Sequence, residues 1–381
     1  MRIIVFTGSG GSGVSTIAAA TAAALATGGQ RTLAFGITRG LGRALNAALT
    51  LEAGPVSERL DAVEGHSGHG GPDEFRDWLE SLLDFRSMEI DLADDLTALP
   101  GVNHLGRLLK LEQLAESGAY DAIVIDAADL SQFLDLPAAL DAAARWLDRL
   151  FAPRQQTVFE TFLRPFAQEY ASAGDEVFAT GRALLTRLAD FRDVLADPET
   201  TSVRVVVRPE RGALDDLREA VTVLSLFGYR VDAAILNRLL PDAVADPFFG
   251  PAKAEQKRLL DEAESIGLSQ RVLTSHLEPD PPAGPGALAE RAAALYAGAA
   301  PGDFFSEPPS HTLERGDGQY VLNVALPYAK RETLRLEEMD EGIAVHLNGR
   351  RCVVTLPEDV VYSQASSWTY EAGFLRVVLA R

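Results

Sequence analysis

The sequence predicts an α/β protein: a doubly wound, mostly parallel sheet with helical insertions, followed by a small antiparallel β-sandwich. Three observations predict it. Short apolar strand candidates alternate with helical stretches over residues 1–300. A glycine-rich turn separates the first strand candidate from the first helix. Beyond two Pro/Gly-rich stretches, Pro279–Pro285 and Pro301–Pro309, the hydrophobic period changes to two and a hairpin signal appears.

Taken in order, Arg2–Phe6 is an apolar strand and Thr16–Ala26 an alanine-rich helix. Arg31–Phe35, Ala122–Ile125, Val203–Val207 and Val231–Leu236 are further strands. They are largely apolar without alternation, as in a parallel sheet whose two faces are both covered. Helices are predicted over Leu105–Glu116 and Leu214–Leu226, the second closing at Gly228, a C-cap glycine. Two long spans read without strands, Leu41–Leu99 and Leu136–Asp197. The second carries Phe159, Phe162, Phe166 and Tyr170 at helical spacing, one apolar face suited to helix packing, a dimer contact or a client groove. A last alanine-rich helix sits between the two Pro/Gly-rich stretches. Then Tyr320–Leu326 and Gly342–Leu347 alternate, Asn348-Gly349 signals a type I′ turn before Cys352–Leu356, and Phe374–Leu379 is a final strand. The expected division is a first domain at 1–300 (insertions about 41–99 and 136–197), a linker at 301–315 and a sandwich at 316–381.

Composition narrows the function classes. At 381 residues the chain exceeds one typical core. A formal charge of −20 argues against nucleic acid and anionic membrane surfaces, which require clustered Lys/Arg. A single cysteine, Cys352, excludes a disulfide framework, a cysteine zinc site and a thiolate site for a soft metalloid. No apolar run reaches the ~18 residues that span a bilayer, and no basic, apolar leader precedes the first strand. The expectation is a cytoplasmic protein with no integral membrane segment.

The chemistry concentrates at Phe6-Thr-Gly-Ser-Gly-Gly-Ser-Gly-Val-Ser-Thr16. The phosphate-loop frame G-x-x-x-x-G-K-[ST] fits as Gly8, Gly13 and Ser15, but Val14 stands where the lysine belongs. A strand, a flexible glycine loop and a helix N-terminus let several backbone N–H groups converge on an anion. The lysine adds a charge-assisted contact, a bond of roughly 1.5–3 kcal/mol, which valine cannot make. Two readings stand side by side: a cradle for a nucleotide or another anion, and a turn that needs glycine only for its geometry. Arg39 and Arg43, just past the second strand, are either substitute cations or ordinary surface charges. Asp126 and Asn237 lie at strand ends, where α/β folds bind ligands and where polar residues also merely terminate strands. His66 and His69 lie in a glycine-rich stretch without cysteines, which reads as a loop rather than a metal site.

Several segments resemble the family of arsenical-pump (ArsA) and GET-type tail-anchor targeting ATPases. They are Leu99-Pro-Gly-Val-Asn-His104 through Tyr120-Asp-Ala-Ile-Val-Ile-Asp126, Phe191 through Glu210, and Leu226 through Pro241 with Ile235-Leu-Asn-Arg-Leu239 inside it. Tyr320 to Leu379, with Arg350-Arg351 and Leu356-Pro357, resembles the small heat-shock (α-crystallin) domain of one branch of that family. The resemblance implies a P-loop NTPase fold with ATP or ADP at a dimer interface. It assigns the nucleotide to Gly8, Ser9, Gly10, Gly11, Ser12, Gly13, Val14, Ser15 and Thr16, magnesium to Ser15 and Asp126, and the adenine to Asn237. It implies a homodimer or a heterodimer with a paralogue, and a hydrophobic protein client.

The departures from the family pattern matter as much. Family loops read G-K-G-G-V-G-K-[ST]; here Ser9 replaces the lysine that reaches across the dimer and Val14 the in-loop lysine. The family's first switch carries an Asp that positions water, whereas Gly36 to Ala48 has no acidic residue. The second switch, D-T-A-P-T-G-H in the family, reads Asp126-Ala-Ala-Asp-Leu-Ser-Gln132. Phosphoryl transfer depends on positioned charge, one cation being worth ~10³–10⁵ in rate, so fast hydrolysis is not expected. Only three methionines occur, which disfavours an adaptable surface for tail anchors. The expected function is a pseudo-ATPase: a dimeric chaperone or scaffold with nucleotide as a structural or regulatory ligand. A slow ATPase using Arg39, Arg43 or a partner subunit, and a scaffold without nucleotide, are the alternatives.

Overall fold

The computed structural model describes residues 1–64, 71–85, 102–135, 139–140, 143, 167–265, 271–307, 311–315, 319–339, 342–357, 360 and 364–380. His66 and His69, Phe159, Phe162 and Phe166, and the side chain of Tyr170, lie outside the described residues.

The large sheet has eight strands: β1 (Arg2–Gly8), β2 (Thr32–Gly36), β3 (Gly54–Ser57), β4 (Leu60–Glu64), β5 (Ala122–Asp129), β6 (Thr201–Val207), β7 (Val231–Leu239) and β8 (Arg271–His276). Their order is β3-β4-β2-β5-β1-β6-β7-β8. β2 pairs in parallel with β4 and β5, β6 with β7, and β7 with β8; β3 is an antiparallel edge on β4. The strands are apolar on both faces because both faces are covered, and Ile3, Ile4, Val5 and Phe6 of β1 are wholly buried.

Three strands of the large sheet go beyond those expected from the sequence. The span Leu41–Leu99 contains β3 and β4, hidden because Leu60-Asp-Ala-Val-Glu64 mixes acids into a strand. Pairing with β2 overrides that weak propensity, and both acids find partners, Asp61 accepting from the Tyr120 hydroxyl at 2.9 Å. β8 (Arg-Val-Leu-Thr-Ser-His) alternates between exposed and covered residues as an outermost strand does.

Connecting helices are α1 (Val14–Thr27), α2 (Leu41–Leu45), α3 (Asp73–Phe85), α4 (Val102–Glu116), α5 (Ala167–Ala196), α6 (Ala213–Leu226), α7 (Gly250–Ser265) and α8 (Pro285–Tyr296). The chain divides into two compact units, one of residues 1–3, 15–195 and 282–292, the other of residues 4–14, 196–281 and 293–381. In the first, α5 is tied to α3 and α4 by polar contacts. Arg187 pairs with buried Glu112 at 2.7 Å and with Glu74 at 2.8 Å, and the Trp78 indole donates to the Val177 carbonyl at 2.9 Å.

In the second unit the C-terminal strands are β9 (Thr312–Arg315), β10 (Gln319–Ala325), β11 (Leu334–Met339), β12 (Gly342–Leu347), β13 (Arg350–Thr355), β14 (Gln364–Glu371) and β15 (Phe374–Ala380). They form a four-stranded sheet, β14-β15-β10-β9, and a three-stranded sheet, β11-β12-β13. Asn348 and Gly349 have φ of 50° and 78°, the double positive φ of the expected type I′ turn. Ala372-Gly373 makes the equivalent turn before β15 with φ of 50° and 81°. An alanine there carries no such signal, which is why β14 and its hairpin were not legible. This β-rich part rests on α6: His311 Nε2 donates to the Ser225 carbonyl at 2.7 Å while its Nδ1 accepts from the Ala325 N–H at 3.1 Å, which assigns the tautomer. The Thr222 hydroxyl donates to the Pro327 carbonyl at 3.1 Å.

Candidate nucleotide-binding site

The glycine loop leaves β1 at Gly8 and enters α1 at Val14. Gly8 is obligatory by close approach, since a Cβ there would lie 1.9 Å from the Val206 carbonyl oxygen on β6. Gly11 and Gly13 have φ of 76° and 92°, left-handed conformations that favour glycine. The Ser12 N–H closes a tight turn on the Ser9 carbonyl at 3.1 Å. Gly10 and Gly11 are exposed and Ser9 partly so, whereas Ser12 is fully buried. Its Oγ is among the buried side-chain atoms without a hydrogen-bond partner. Val14 is 6% exposed, so an apolar side chain packed in the core stands at the lysine position.

Asn237 of β7 is brought to the loop but is committed to the protein. Its amide Nδ2 donates to the Ser12 carbonyl at 2.7 Å, and the residue is 2% exposed. A Cβ on Gly13 would sit 2.4 Å from that nitrogen. In this structure Asn237 therefore holds the shape of the loop. Two arginines that sequence reasoning passed over also flank it. Arg208, just past β6, has Nη1 4.0 Å from where a Cβ of Gly11 would be, and Arg238 of β7 has Nε 3.7 Å from where a Cβ of Gly13 would be. The signal was present in the sequence as Arg at the ends of two apolar strands, Val203–Arg208 and Ala233–Arg238.

In the other unit, Ser15 and Asp126 come together beside Gly40. A Cβ on Gly40 would lie 2.2 Å from Ser15 Oγ and 3.6 Å from Asp126 Oδ2. β5 continues to Asp129, so Asp126 is not the strand's last residue as expected; its ladder with β2 is what ends there, at the Gly36–Asp126 pair. Asp126 is fully buried; its Oδ1 accepts from the Ala128 N–H at 3.2 Å and its Oδ2 has no hydrogen-bond partner. Burial pushes its pKa up to about 6, Ser15 and the Ala128 N–H act the other way, and the Glu64 charge adds to the rise.

Glu64, at the end of β4, brings a carboxylate against the Gly36–Ala48 segment, which has no acidic residue of its own. Its Oε1 accepts from the N–H groups of Gly40, Leu41 and Gly42 at 2.8, 2.8 and 3.2 Å. Strand register placed it, since Gly36 pairs with Glu64. Arg39 and Arg43 are both exposed. The oxygens of Ser15 and Asp126, one an orphaned buried carboxylate oxygen, are the hard donors that suit magnesium. Among the described residues no group of three or more His, Cys, Asp or Glu is arranged to hold a metal, and no helix is long and apolar enough to cross a membrane.

Comparison with known proteins agrees with this architecture. Residues 1–297 match the family described as anion-transporting ATPase, and residues 317–379 match the HSP20-like domain found in ArsA. An uncharacterized protein of Streptomyces coelicolor is 32% identical over 375 residues, covering 94% of this chain and 92% of the relative. A protein of Mycobacterium tuberculosis is 31% identical over 395 residues, covering 93% and 90%. A Prosthecochloris vibrioformis protein, provisionally named an arsenical pump-driving ATPase, is 25% identical over 372 residues, covering 94% and 90%. With a P-loop-type parallel sheet and a C-terminal antiparallel sheet of the matching kind, the chain belongs to the ArsA-type anion-transporting ATPase family, in the form that carries an HSP20-like domain.

Proposed function

We propose that this family member is a pseudo-ATPase: it binds ATP or ADP as a structural or regulatory ligand and works as a cytoplasmic dimeric chaperone or scaffold. One observation carries the reading. The lysine position holds a packed Val14, yet Gly8, Gly11 and Gly13 keep the loop conformation by which backbone N–H groups hold an anion. Gly8 through Thr16 would hold the phosphates, with Asn237 fixing the loop and bordering the base. Magnesium, when bound, supplies positive charge to the phosphates, and Ser15 and Asp126 are the residues that would hold it. Burial of Asp126 disfavours its unpaired charge, so the carboxylate is poised to be compensated by a cation. No acid of the Gly36–Ala48 segment is available to orient water, and Glu64 is engaged with three N–H groups, so negligible turnover follows. The HSP20-like domain supports a client or assembly role, and the dimer is homomeric or shared with a paralogue.

Calorimetric titration with ATP and with a non-hydrolysable analogue, with and without magnesium, tests the reading. Micromolar, magnesium-strengthened binding with negligible turnover is the expected result. Binding no tighter than millimolar overturns it in favour of a nucleotide-free scaffold, and measurable steady turnover overturns it in favour of a slow ATPase.

A further inference from the structure

Resting on the reading that the loop holds a nucleotide, we propose that Arg208 and Arg238 supply the positive charge that the two missing lysines would have given, so that the site selects a polyphosphate chain. The loop, both arginines and Asn237 belong to one compact unit, so the juxtaposition is internal to it. Both guanidinium groups stand at the loop glycines, Arg208 Nη1 by Gly11 and Arg238 Nε by Gly13. A planar guanidinium offers paired donors to phosphate oxygens, so two arginines can replace two ammonium groups in kind.

The backbone at Arg238 argues that its direction is selected. In β7, residues 231–237 and Leu239 are all buried, and Arg238 alone in the strand is exposed. The ladder to β8 slips there: Asn237 pairs with Ser275 and Leu239 with His276. Arg238 takes up the bulge with φ of 68°, a strained conformation for a residue with a Cβ. A bulge of this kind re-aims a side chain, and here it turns the guanidinium out of the sheet and beside the loop. Arg208 is held from its other side, Nη2 donating to Glu210 at 2.9 Å, which leaves Nη1 towards Gly11. A further observation in the loop is an unspent polar group: Ser12 Oγ is fully buried without a hydrogen-bond partner. Arg39 and Arg43, the substitute cations considered from the sequence, belong to the other unit.

The test is magnesium-ATP titration of the wild type, R208A, R238G and the double variant, with R39A and R43A as comparison and R208K as the conservative variant. Glycine is chosen at 238 because it accepts the positive φ, so the guanidinium is removed without strain. Each single variant is expected to weaken ATP binding about tenfold and the double about a hundredfold, with R208K partly restored and R39A and R43A unchanged. Unliganded thermal midpoints should stay near the wild type. Equal binding by wild type and double variant overturns this inference while the nucleotide reading survives. Loss confined to R39A or R43A overturns it in favour of those residues. A wild type that does not bind ATP overturns both.

Discussion

Replacing Asp126 with Asn should make the ligand-free protein more stable at neutral pH. Asp126 is fully buried, and its pKa is raised from 3.8 to about 6. A raised carboxylate pKa means that the folded state holds the proton more tightly than the unfolded chain does. Stability is therefore full below about pH 3.8, falls as pH rises through the window to about 6, and stays at the lower level above it. A displacement of about two units at 1.36 kcal/mol each makes the cost of the buried charge about 3 kcal/mol at pH 7. Asparagine cannot ionise, and its side-chain oxygen can still accept the Ala128 N–H that Asp126 Oδ1 now accepts. Urea unfolding of D126N and wild type, both free of magnesium and nucleotide, should show a difference near zero at pH 4 that grows towards about 3 kcal/mol at pH 7. With magnesium-ATP the order should narrow or reverse, since the variant lacks the carboxylate. A variant less stable than wild type at pH 7, or a difference independent of pH, would refute the reasoning.

Two further substitutions test neighbouring claims. Gly40→Ala places a Cβ 2.2 Å from Ser15 Oγ; the displaced hydroxyl should cost about 1–3 kcal/mol of stability and remove the magnesium dependence of nucleotide binding, read by titration with and without the metal. Asp232→Ala strands Arg204, since both are fully buried and the pair stands at 3.1 Å. Arg204 also donates to the Tyr296 hydroxyl at 2.8 Å and the Asp303 carbonyl at 2.9 Å, so the loss should approach about 3–5 kcal/mol in chemical unfolding.

Much of the architecture was legible because it rests on local rules. Apolar strands such as Ile3–Phe6 and Val203–Val207, the Gly228 cap (φ 80°) and the Asn348-Gly349 turn each follow from residue type and period. The glycine loop was legible for the same reason: strand, glycines and helix are contiguous, and the absence of both lysines is a fact of sequence alone. Other elements depend on partners distant along the chain. β4 exists because β2 pairs with it, and Glu64 reaches Gly40, Leu41 and Gly42 across more than twenty residues through that register. Only the fold could show that Asn237 is spent on Ser12, that Asp126 Oδ2 is orphaned, and that a bulge turns Arg238 towards Gly13. Local sequence determines which backbone conformations are cheap, and so the family, the strands and the lysine-free loop. Which charges meet that loop is decided by strand order and register, because side chains far apart in the chain become neighbours only when the sheet has formed.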